Sequence, residues 1–424
     1  MRKILILGQS VTAVKAVEQI RALDQESEIA AAGFFSGLPA LKERFPEWAG
    51  RQVDAQQAVY KNEKFYQNLR VEILSGKKIS RVNFNRRTVF FDDKSKEEAD
   101  ILVIAEAEKD DFSGIKGANR DGVFSLRTAD QIIRLQGIMG RIETVIIESA
   151  SLRGVMFAKA LLFQNKEVIF CMPEGEILPG VLDQEISSIL LGLLEQSGVR
   201  VIRNDSVKEV LGDDDVKAAR LNMGKVIACE AVLFPDAMPD LRPYNRGELQ
   251  INNFIQTDAL LRTQCEGVFA IDEMTAEGSL FARSFDYEAL RQSQAGRLAA
   301  AIAGLEYQGS PVIKHVCMNI SGRELVFIGD LCPQQAEVLT LTDESGVTRA
   351  RIFLKDHVVV GAFLVDNTAI GNLLLEAVKS GEPLNAESSE ITGSYICKRE
   401  DFQPSVPQQF ICDREAETGQ NTGE

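Results

Sequence analysis

The chain begins with two patterns of hydrophobic positions in succession. An apolar run at residues 4–7 is followed by a turn of small and polar residues, and apolar positions then recur at helical spacing. This order predicts a buried strand, a tight turn and a helix. In a nucleotide-binding βαβ unit the turn carries G-x-G-x-x-G, which lets the backbone approach a pyrophosphate at the helix N-terminus. Here the three positions hold Gly8, Ser10 and Ala13.

The same order returns in the middle of the chain. Residues 143–147 predict a strand, Ser149, Ser151 and Gly154 lie in a small-residue turn, and a helix and a strand at 167–171 follow. Three further apolar runs are expected to return to parallel sheets, at residues 100–105, 230–234 and 267–271. The last of these is predicted to complete the first unit.

The segments between and after these units carry weaker patterns. Residues 36–67 predict a connecting loop with one short helix, and 28–32 predict a second strand without the terminal acid that binds a ribose. Three short strands are predicted to form a small antiparallel sheet, at 71–74, 80–83 and 88–91. Alternating patterns predict five further strands and a helix, at 314–320, 324–328, 336–341, 348–354, 358–364 and 369–379. The polar tail from Asn385 is predicted to be disordered, with Cys397 and Cys412 as free thiols.

Composition excludes several classes of function. The 424 residues include 62 acidic and 47 basic side chains, and the net charge of −15 disfavours nucleic acid and anionic membranes as partners. No uncharged apolar run reaches the ~18 residues of a membrane span, so a cytoplasmic location is expected. The seven cysteines show no C-x-x-C spacing and there are two histidines, so we expect neither a metal site nor a dithiol centre. Cys171 is expected in the core.

Several phrases resemble one known family. GVFSLRT at 122–128, LPGVLD at 178–183, GVFA at 267–270 and QAGR at 294–297 are similar to scaffold phrases of the pyridine-nucleotide-dependent flavoprotein reductases. The resemblance is greatest to rubredoxin reductases and to the flavin module of the nitrite reductase large subunit. It implies an α/β fold with two interleaved Rossmann-like FAD- and NAD(P)-type dinucleotide-binding domains and a C-terminal α+β interface domain. The implied divisions are 1–110 with 236–310, 111–235, 311–384 and the tail 385–424.

The resemblance also implies cofactor sites, which this chain retains only in part. FAD is expected at Gly8, Ser10, Ala13 and Glu273, and NAD(P)H at Ser149, Ser151 and Gly154. The family's A-T-G phrases correspond to Ala105-Glu106-Ala107 and Phe234-Pro235-Asp236, and its G-D phrase corresponds to Asp272-Glu273. The family's C-G-L-P phrase, where present, corresponds to residues 36–39 with serine in place of cysteine.

The NAD(P)H turn is the most altered of these sites. Its G-G-G-x-x-G pattern keeps only Gly154, and Glu148 precedes it. A carboxylate pointing at a pyrophosphate from about 5 Å would cost roughly 3 kcal/mol per phosphate charge at an effective dielectric near 20. Arg153 is expected to offset this repulsion in part.

Each of these positions also has a purely structural interpretation. Gly8, Ser10 and Ala13 fit an FAD phosphate loop and a tight βα turn kept for packing equally well. For Ser149, Ser151 and Gly154 the packing interpretation is favoured. Glu273 is either a helix-dipole partner or an FAD ligand.

Two hypotheses for function follow. In the first, FAD passes electrons from NAD(P)H to a redox protein and no side chain is catalytic. In the second, the chain is a pseudoenzyme that keeps the scaffold and acts as a binding or assembly subunit, paired with a homologous flavoprotein or with itself as a homodimer.

Overall fold

The computed structural model of the protein describes residues 1–403, except for residues 9, 35–38, 62, 107–111, 113, 246, 285–286, 310–311, 384–388 and 394. The chain opens with the expected strand β1 (Lys3–Leu7) and helix α1 (Val11–Leu23). Strand β2 (Glu28–Phe34) pairs in parallel with β1 and is two residues longer than predicted. The opening prediction of strand, turn and helix is therefore confirmed.

The segment after β2 is more helical than predicted. A 3-10 turn at Lys42–Arg44 leads into three short helices, α2 (Phe45–Ala49), α3 (Ala55–Ala58) and α4 (Glu63–Asn68). A capping box starts α3: Asp54 accepts a hydrogen bond from the Gln57 amide, and the Gln57 side chain accepts one from the Asp54 amide. The prediction of a single short helix was wrong because helices of four to six residues are too short to show a hydrophobic period.

The next strands divide between two sheets. Strand β3 (Val71–Ser75) pairs in parallel with β2, so its predicted place in the small antiparallel sheet was wrong. A short apolar run carries no information about its partner strand. The antiparallel sheet instead consists of β4 (Ile79–Asn83), β5 (Thr88–Phe91) and β6 (Lys96–Glu98). Strand β7 (Ile101–Ile104) then pairs in parallel with β1, as predicted.

The second unit repeats the first. In chain order its elements are β8 (Val123–Phe124), α5 (Ala129–Ile138), β9 (Thr144–Glu148), α6 (Leu152–Phe163), β10 (Glu167–Met172), α7 (Gln184–Gln196), β11 (Arg200–Arg203), β12 (Val207–Leu211), β13 (Ala218–Leu221), β14 (Val226–Ala228) and β15 (Ala231–Leu233). Five of these strands form a parallel sheet in the order β11-β10-β9-β15-β8, and β12, β13 and β14 form an antiparallel sheet.

The chain then returns to the first unit, as predicted. The elements of this return are β16 (Ile251–Asn252), β17 (Phe254–Ile255), β18 (Val268–Ala270), α8 (Ala276–Ser284) and α9 (Tyr287–Ala303). Strand β18 pairs in parallel with β7, which gives the first sheet the order β18-β7-β1-β2-β3. The two Rossmann-like units are therefore interleaved.

The C-terminal block is an antiparallel sheet with one face covered by a helix. Its elements are β19 (His315–Ile320), β20 (Arg323–Gly329), β21 (Ala336–Thr342), β22 (Thr348–Lys355), β23 (Val358–Val365), α10 (Gly371–Ser380), α11 (Ser389–Thr392) and β24 (Ile396–Phe402). The strand order is β19-β20-β23-β22-β21-β24. Leu374 of α10 packs with Leu364 and Ile328 on the covered face.

Strand β24 lies inside the tail that the sequence predicts to be disordered. It pairs with β21 over its whole length, and Phe402 packs edge-on against Phe353 with ring centroids 5.1 Å apart. The prediction was wrong for these residues because a strand of mostly exposed charged side chains has no hydrophobic pattern. Cys397 lies exposed on β24, and Cys412 lies outside the described residues.

The topology places the candidate turns at sheet edges. Strands β1, β7 and β18 run in parallel, so the residues that follow them, Gly8, Glu106 and Asp272, meet at one edge of the first sheet. Strands β9 and β15 likewise bring Ser149 and Asp236 to one edge of the second sheet. Open α/β sheets bind ligands at the carboxyl ends of their strands, so we call these two edges the ligand edges. Within the described part of the chain, no helix is long and apolar enough to cross a membrane.

Candidate functional site

The first turn keeps the geometry of a βα turn and caps its own helix. Gly8 adopts φ +107°, a conformation that side-chain-bearing residues rarely adopt. Ser10 is the N-cap of α1, and its hydroxyl accepts a hydrogen bond from the Ala13 amide at 3.2 Å. The three predicted residues therefore lie together, and Ser10 and Ala13 pair with each other.

The space beside Gly8 is occupied by the chain itself. A Cβ on Gly8 would lie 2.5 Å from the Cβ of Glu106 and 2.7 Å from its backbone nitrogen. This glycine is required for the close approach of the loop after β7. That requirement holds with or without a ligand.

The end of β18 also meets the start of α1. Asp272 is buried with φ +57°, and its carboxylate accepts a hydrogen bond of 2.7 Å from the Thr12 hydroxyl. Its amide donates to the Gln294 side chain at 2.8 Å. In the predicted Asp272-Glu273 pair, the Asp272 carboxylate therefore binds the N-terminal turn of α1. The Glu273 carboxylate makes different contacts.

Glu273 lies in a buried cluster of charged side chains, which we call the ionic cluster: Lys42, Glu106, Arg127, Arg153 and Glu273. Arg127 donates to one carboxylate oxygen of Glu273 at 2.7 and 2.9 Å, and Arg153 donates to the other at 3.1 Å. The Lys42 ammonium lies 3.3 Å from both Glu273 and Glu106. The five side chains are between 3% and 14% exposed. Glu273 is therefore the centre of an ion-pair network, and it lies in the first turn of the 3-10 helix Asp272–Met274, so its two predicted roles both stay predictions.

The ionic cluster keeps its lysine charged. Burial by itself lowers the pKa of Lys42, but the neighbouring carboxylates of Glu273 and Glu106 outweigh burial and raise that pKa above its usual value. The positive charges of Arg127, Arg153 and Lys42 thus remain in place at the edge of the first sheet. They come from three separate segments of the chain.

The second turn brings together the residues predicted for NAD(P)H and places the Asp236 carboxylate against them. Ser151 is the N-cap of α6 and accepts from the Gly154 amide at 3.2 Å. The carboxylate of Asp236 accepts hydrogen bonds from the Ser149 hydroxyl at 2.8 Å, the Ala150 amide at 2.9 Å and the Ser151 hydroxyl. A protein carboxylate therefore occupies three of the hydrogen-bond donors of this turn.

Glu148 does not face the turn, contrary to the sequence-based expectation. Its carboxylate accepts a hydrogen bond from the Val207 amide at the start of β12. Burial, with smaller contributions from the nearby carboxylates of Asp236 and Asp205, raises the pKa of Glu148 to about 7. Arg153 does not offset Glu148 either, because its guanidinium pairs with Glu273 in the ionic cluster.

The described cysteines lie in apolar surroundings or on exposed strands. Cys171 is fully buried, as predicted, and burial raises its pKa to about 12. Burial raises the pKa of Cys229 and of Cys332 to about 12 as well. These thiols stay protonated at neutral pH and are poor nucleophiles.

The family of this chain follows from its match to a protein-family model. Residues 2–296, more than half of the chain, match the pyridine nucleotide-disulphide oxidoreductases. The chain belongs to this family. The resemblance inferred from the scaffold phrases is thereby confirmed.

Individual members of the family are similar over almost the whole chain. The ferredoxin reductase component of chlorobenzene dioxygenase from Cupriavidus sp. (strain PS12) is 26% identical over 389 residues, which cover 90% of this chain and 94% of that protein. The NAD(P)H nitrite reductase of Bacillus subtilis (strain 168) is 20% identical over 397 residues, which cover 92% of this chain and 49% of that protein. The chain thus spans about half the length of the nitrite reductase.

Solved structures support the same fold. A chain in the crystal structure of the covalent putidaredoxin reductase-putidaredoxin complex matches with a TM-score of 0.75 at 15% identity, covering 90% of this chain and 94% of that chain. At this identity the likeness shows the fold alone. It is the two-unit α/β fold with a C-terminal α+β block that the sequence predicts.

Pattern analysis missed two residues that the fold brings to the family's ligand edges. Lys42 lies in a segment that the sequence predicts as loop, and no pattern marks it. Arg127 is inside the GVFSLRT phrase, where it counts as scaffold. The family's A-T-G phrase already marked Asp236 in the sequence, but its contact with the second turn was not predicted.

Proposed function

We propose that this chain is a flavin-dependent electron-transfer protein that holds FAD at the edge of the first sheet and exchanges electrons with a redox protein. The observation that carries the proposal is the ionic cluster. Buried ion pairs stabilise a fold no better than apolar packing of the same volume, so their presence needs a reason beyond stability. A group of buried charges at a ligand edge is typical of a functional site.

The residues at this edge fit part of an FAD molecule. Lys42, Arg127 and Arg153 supply donors for phosphate and ribityl oxygens, and Gly8 keeps the turn tight beside them. Glu273 can accept from hydroxyl groups of the ribityl chain. FAD would supply the redox chemistry by exchanging electrons with the redox protein, and the residues of this chain would bind and position it.

The names of the relatives support the choice of partner. The chlorobenzene dioxygenase relative is named as a ferredoxin reductase component, and the structural relative is a reductase crystallised with putidaredoxin. By analogy, we expect the acceptor of this chain to be a small redox protein. The family resemblance also implies that NAD(P)H is the electron donor. The Asp236 carboxylate in the second turn weighs against reduction by NAD(P)H.

A second candidate function is favoured by the charge balance of the ionic cluster. Three cations face the carboxylates of Glu106 and Glu273, and Asp272 lies close enough to act on Lys42. Ion pairs within the chain therefore balance the charges of the ionic cluster without a cofactor. A non-catalytic relative that serves as a binding or assembly subunit would have this property.

The visible absorption spectrum separates the two candidates. We expect the purified full chain, incubated with FAD and desalted, to retain flavin absorption and to melt at a higher temperature, because a ligand present at 100 times its Kd adds about 2.7 kcal/mol of stability. The variant Lys42→Met should retain less flavin than the wild type. The control Lys61→Met removes a half-exposed lysine and should retain as much flavin as the wild type. A colourless protein with an unchanged melting temperature contradicts FAD binding and supports the non-catalytic candidate.

A further inference from the structure

The second turn of the fold is arranged as an anion site whose anion belongs to the chain. Both oxygens of the Asp236 carboxylate are engaged, one by the Ser149 hydroxyl and the Ala150 amide, the other by the Ser151 hydroxyl. These groups lie immediately before and at the N-cap of the twelve-residue helix α6. A dinucleotide of the kind this fold binds places its pyrophosphate at the same helix terminus.

The two serine hydroxyl groups of the turn lie close together and also accept hydrogen bonds from backbone amides. The Ser149 and Ser151 hydroxyl oxygens are 3.0 Å apart, and the Ser151 amide donates to the Ser149 hydroxyl at 3.1 Å. The Gly154 amide donates to the Ser151 hydroxyl. Two serine side chains and one carboxylate therefore engage the Ala150, Ser151 and Gly154 amides.

The glycine retained in this turn makes room for one of those serines. A Cβ on Gly154 would lie 2.1 Å from the Ser149 hydroxyl oxygen and 2.4 Å from the Ser149 Cβ. The clearance that a glycine gives to a pyrophosphate is here filled by a side chain of the turn itself. Gly154 is thus explained by internal packing.

The carboxylate is held in place by its neighbours in the chain. Pro235 precedes Asp236, and the Pro235 carbonyl accepts a hydrogen bond of 3.1 Å from the Arg153 guanidinium. The same guanidinium pairs with Glu273 in the ionic cluster. The loop after β15 is therefore tied at two consecutive residues to α6 and its turn.

We infer that Asp236 acts as an internal substitute for a phosphate and closes the second dinucleotide turn to NADH and NADPH. The residues present do not fit a nicotinamide dinucleotide, because its pyrophosphate would meet a negative charge and would find the donors Ser149, Ala150 and Ser151 already used. This inference is independent of whether the first turn holds FAD.

The test compares NADH binding by the wild-type chain and by the variant Asp236→Ala. We expect the wild-type full chain to show no saturable NADH binding in a fluorescence titration up to millimolar NADH. The variant removes the carboxylate and frees the donors, and we expect it to bind NADH at least about a hundredfold more tightly than the wild type, equivalent to about 2.7 kcal/mol. Flavin content is measured on each sample, so that loss of FAD is not confused with a change at this turn.

Two further variants keep the result interpretable. Asp240→Ala removes a neighbouring buried carboxylate that pairs with Arg242, and the variant should bind no more NADH than the wild type. Asp236→Asn keeps the shape of the side chain and removes its charge, so it serves if the alanine variant does not fold, and it should also gain NADH binding. Saturable NADH binding by the wild type, or no gain in either folded Asp236 variant, overturns the inference.

Discussion

Single residues at the two ligand edges serve the fold in ways that their sequence pattern does not reveal. Gly8 and Gly154 occupy positions of phosphate-binding patterns, yet the nearest atoms to an added Cβ belong to Glu106 and Ser149 of the same chain. The side-chain hydroxyls of Ser10 and Ser151 both cap helices. At both turns, small residues are therefore required by packing and capping, whatever the ligand.

The pKa of Glu148 leads to a prediction about stability and pH. The carboxyl titrates near 4.5 in the unfolded chain and at about 7 in the folded protein, so the folded state holds its proton more tightly. This contribution to stability is present below about pH 4.5 and is lost as the pH rises through 7. We expect Glu148→Gln, relative to the wild type, to gain about 1 to 3 kcal/mol of unfolding free energy between about pH 5 and pH 8.

Urea unfolding at several pH values measures this gain. The control Glu143→Gln removes an exposed negative charge just before the same strand, and it should not reproduce the trend. A constant difference between Glu148→Gln and the wild type across this range would contradict the prediction.

At the scale of elements, the C-terminal sheet is joined to the second unit by a buried arginine. Arg351 of β22 pairs with Asp183, the N-cap of α7, at 2.5 Å, and with Glu185 in the first turn of that helix. Its guanidinium also donates to Thr340 of β21 at 3.0 Å. One side chain thus connects a helix terminus of one unit with two strands of another.

Removing this arginine should destabilise the protein. Arg351→Met leaves the buried carboxylate of Asp183 unpaired, and we expect a loss of about 3 kcal/mol of unfolding free energy. Arg399→Met removes an exposed pair with Glu337 and should cost less than about 1 kcal/mol. Chemical denaturation of the three proteins gives both values, and equal losses would argue against the junction.

Strand β24 allows a second test at this scale. Phe402 is 8% exposed and packs on Phe353, so Phe402→Ala should cost about 3 kcal/mol. Ile396→Ala at the other end of the strand removes a side chain that is 60% exposed, and its effect should lie within about 0.5 kcal/mol. If both variants unfold like the wild type in urea, the strand does not contribute to the sheet in solution.

For the whole molecule, a shared core and the ionic cluster join the units. One apolar cluster extends from α2 through the second parallel sheet to the C-terminal sheet, and it includes Trp48, Phe157 and Phe327. The first sheet has its own two clusters on its two faces. The ionic cluster crosses between the units, because Glu273 follows β18 whereas Arg127 and Arg153 belong to the second unit.

Loss of Glu273 should therefore weaken the coupling between units. Glu273→Ala leaves three buried cations with one carboxylate fewer, and we expect flavin-free protein to lose about 3 kcal/mol and to show a broadened or split transition in calorimetry. Glu288→Ala removes the partner of Lys15 and is 57% exposed, so it should leave the transition unchanged. A single sharp transition at the wild-type temperature for Glu273→Ala would refute this coupling.

The sequence by itself determined the two βα turns, the return of β18 to the first sheet and five strands of the C-terminal sheet, because each has a hydrophobic period or a scaffold phrase. It did not determine β24, whose side chains are mostly exposed, or the partner of β3, because a short apolar run fits either sheet. Only the tertiary structure decided what lies at the ligand edges. Lys42, Arg127 and Glu273 are far apart in the chain, and Asp236 meets Ser149 only because β9 and β15 are neighbours in a parallel sheet. Charge pairing across such distances leaves no period in the sequence, so the occupied turn could be found only in the fold.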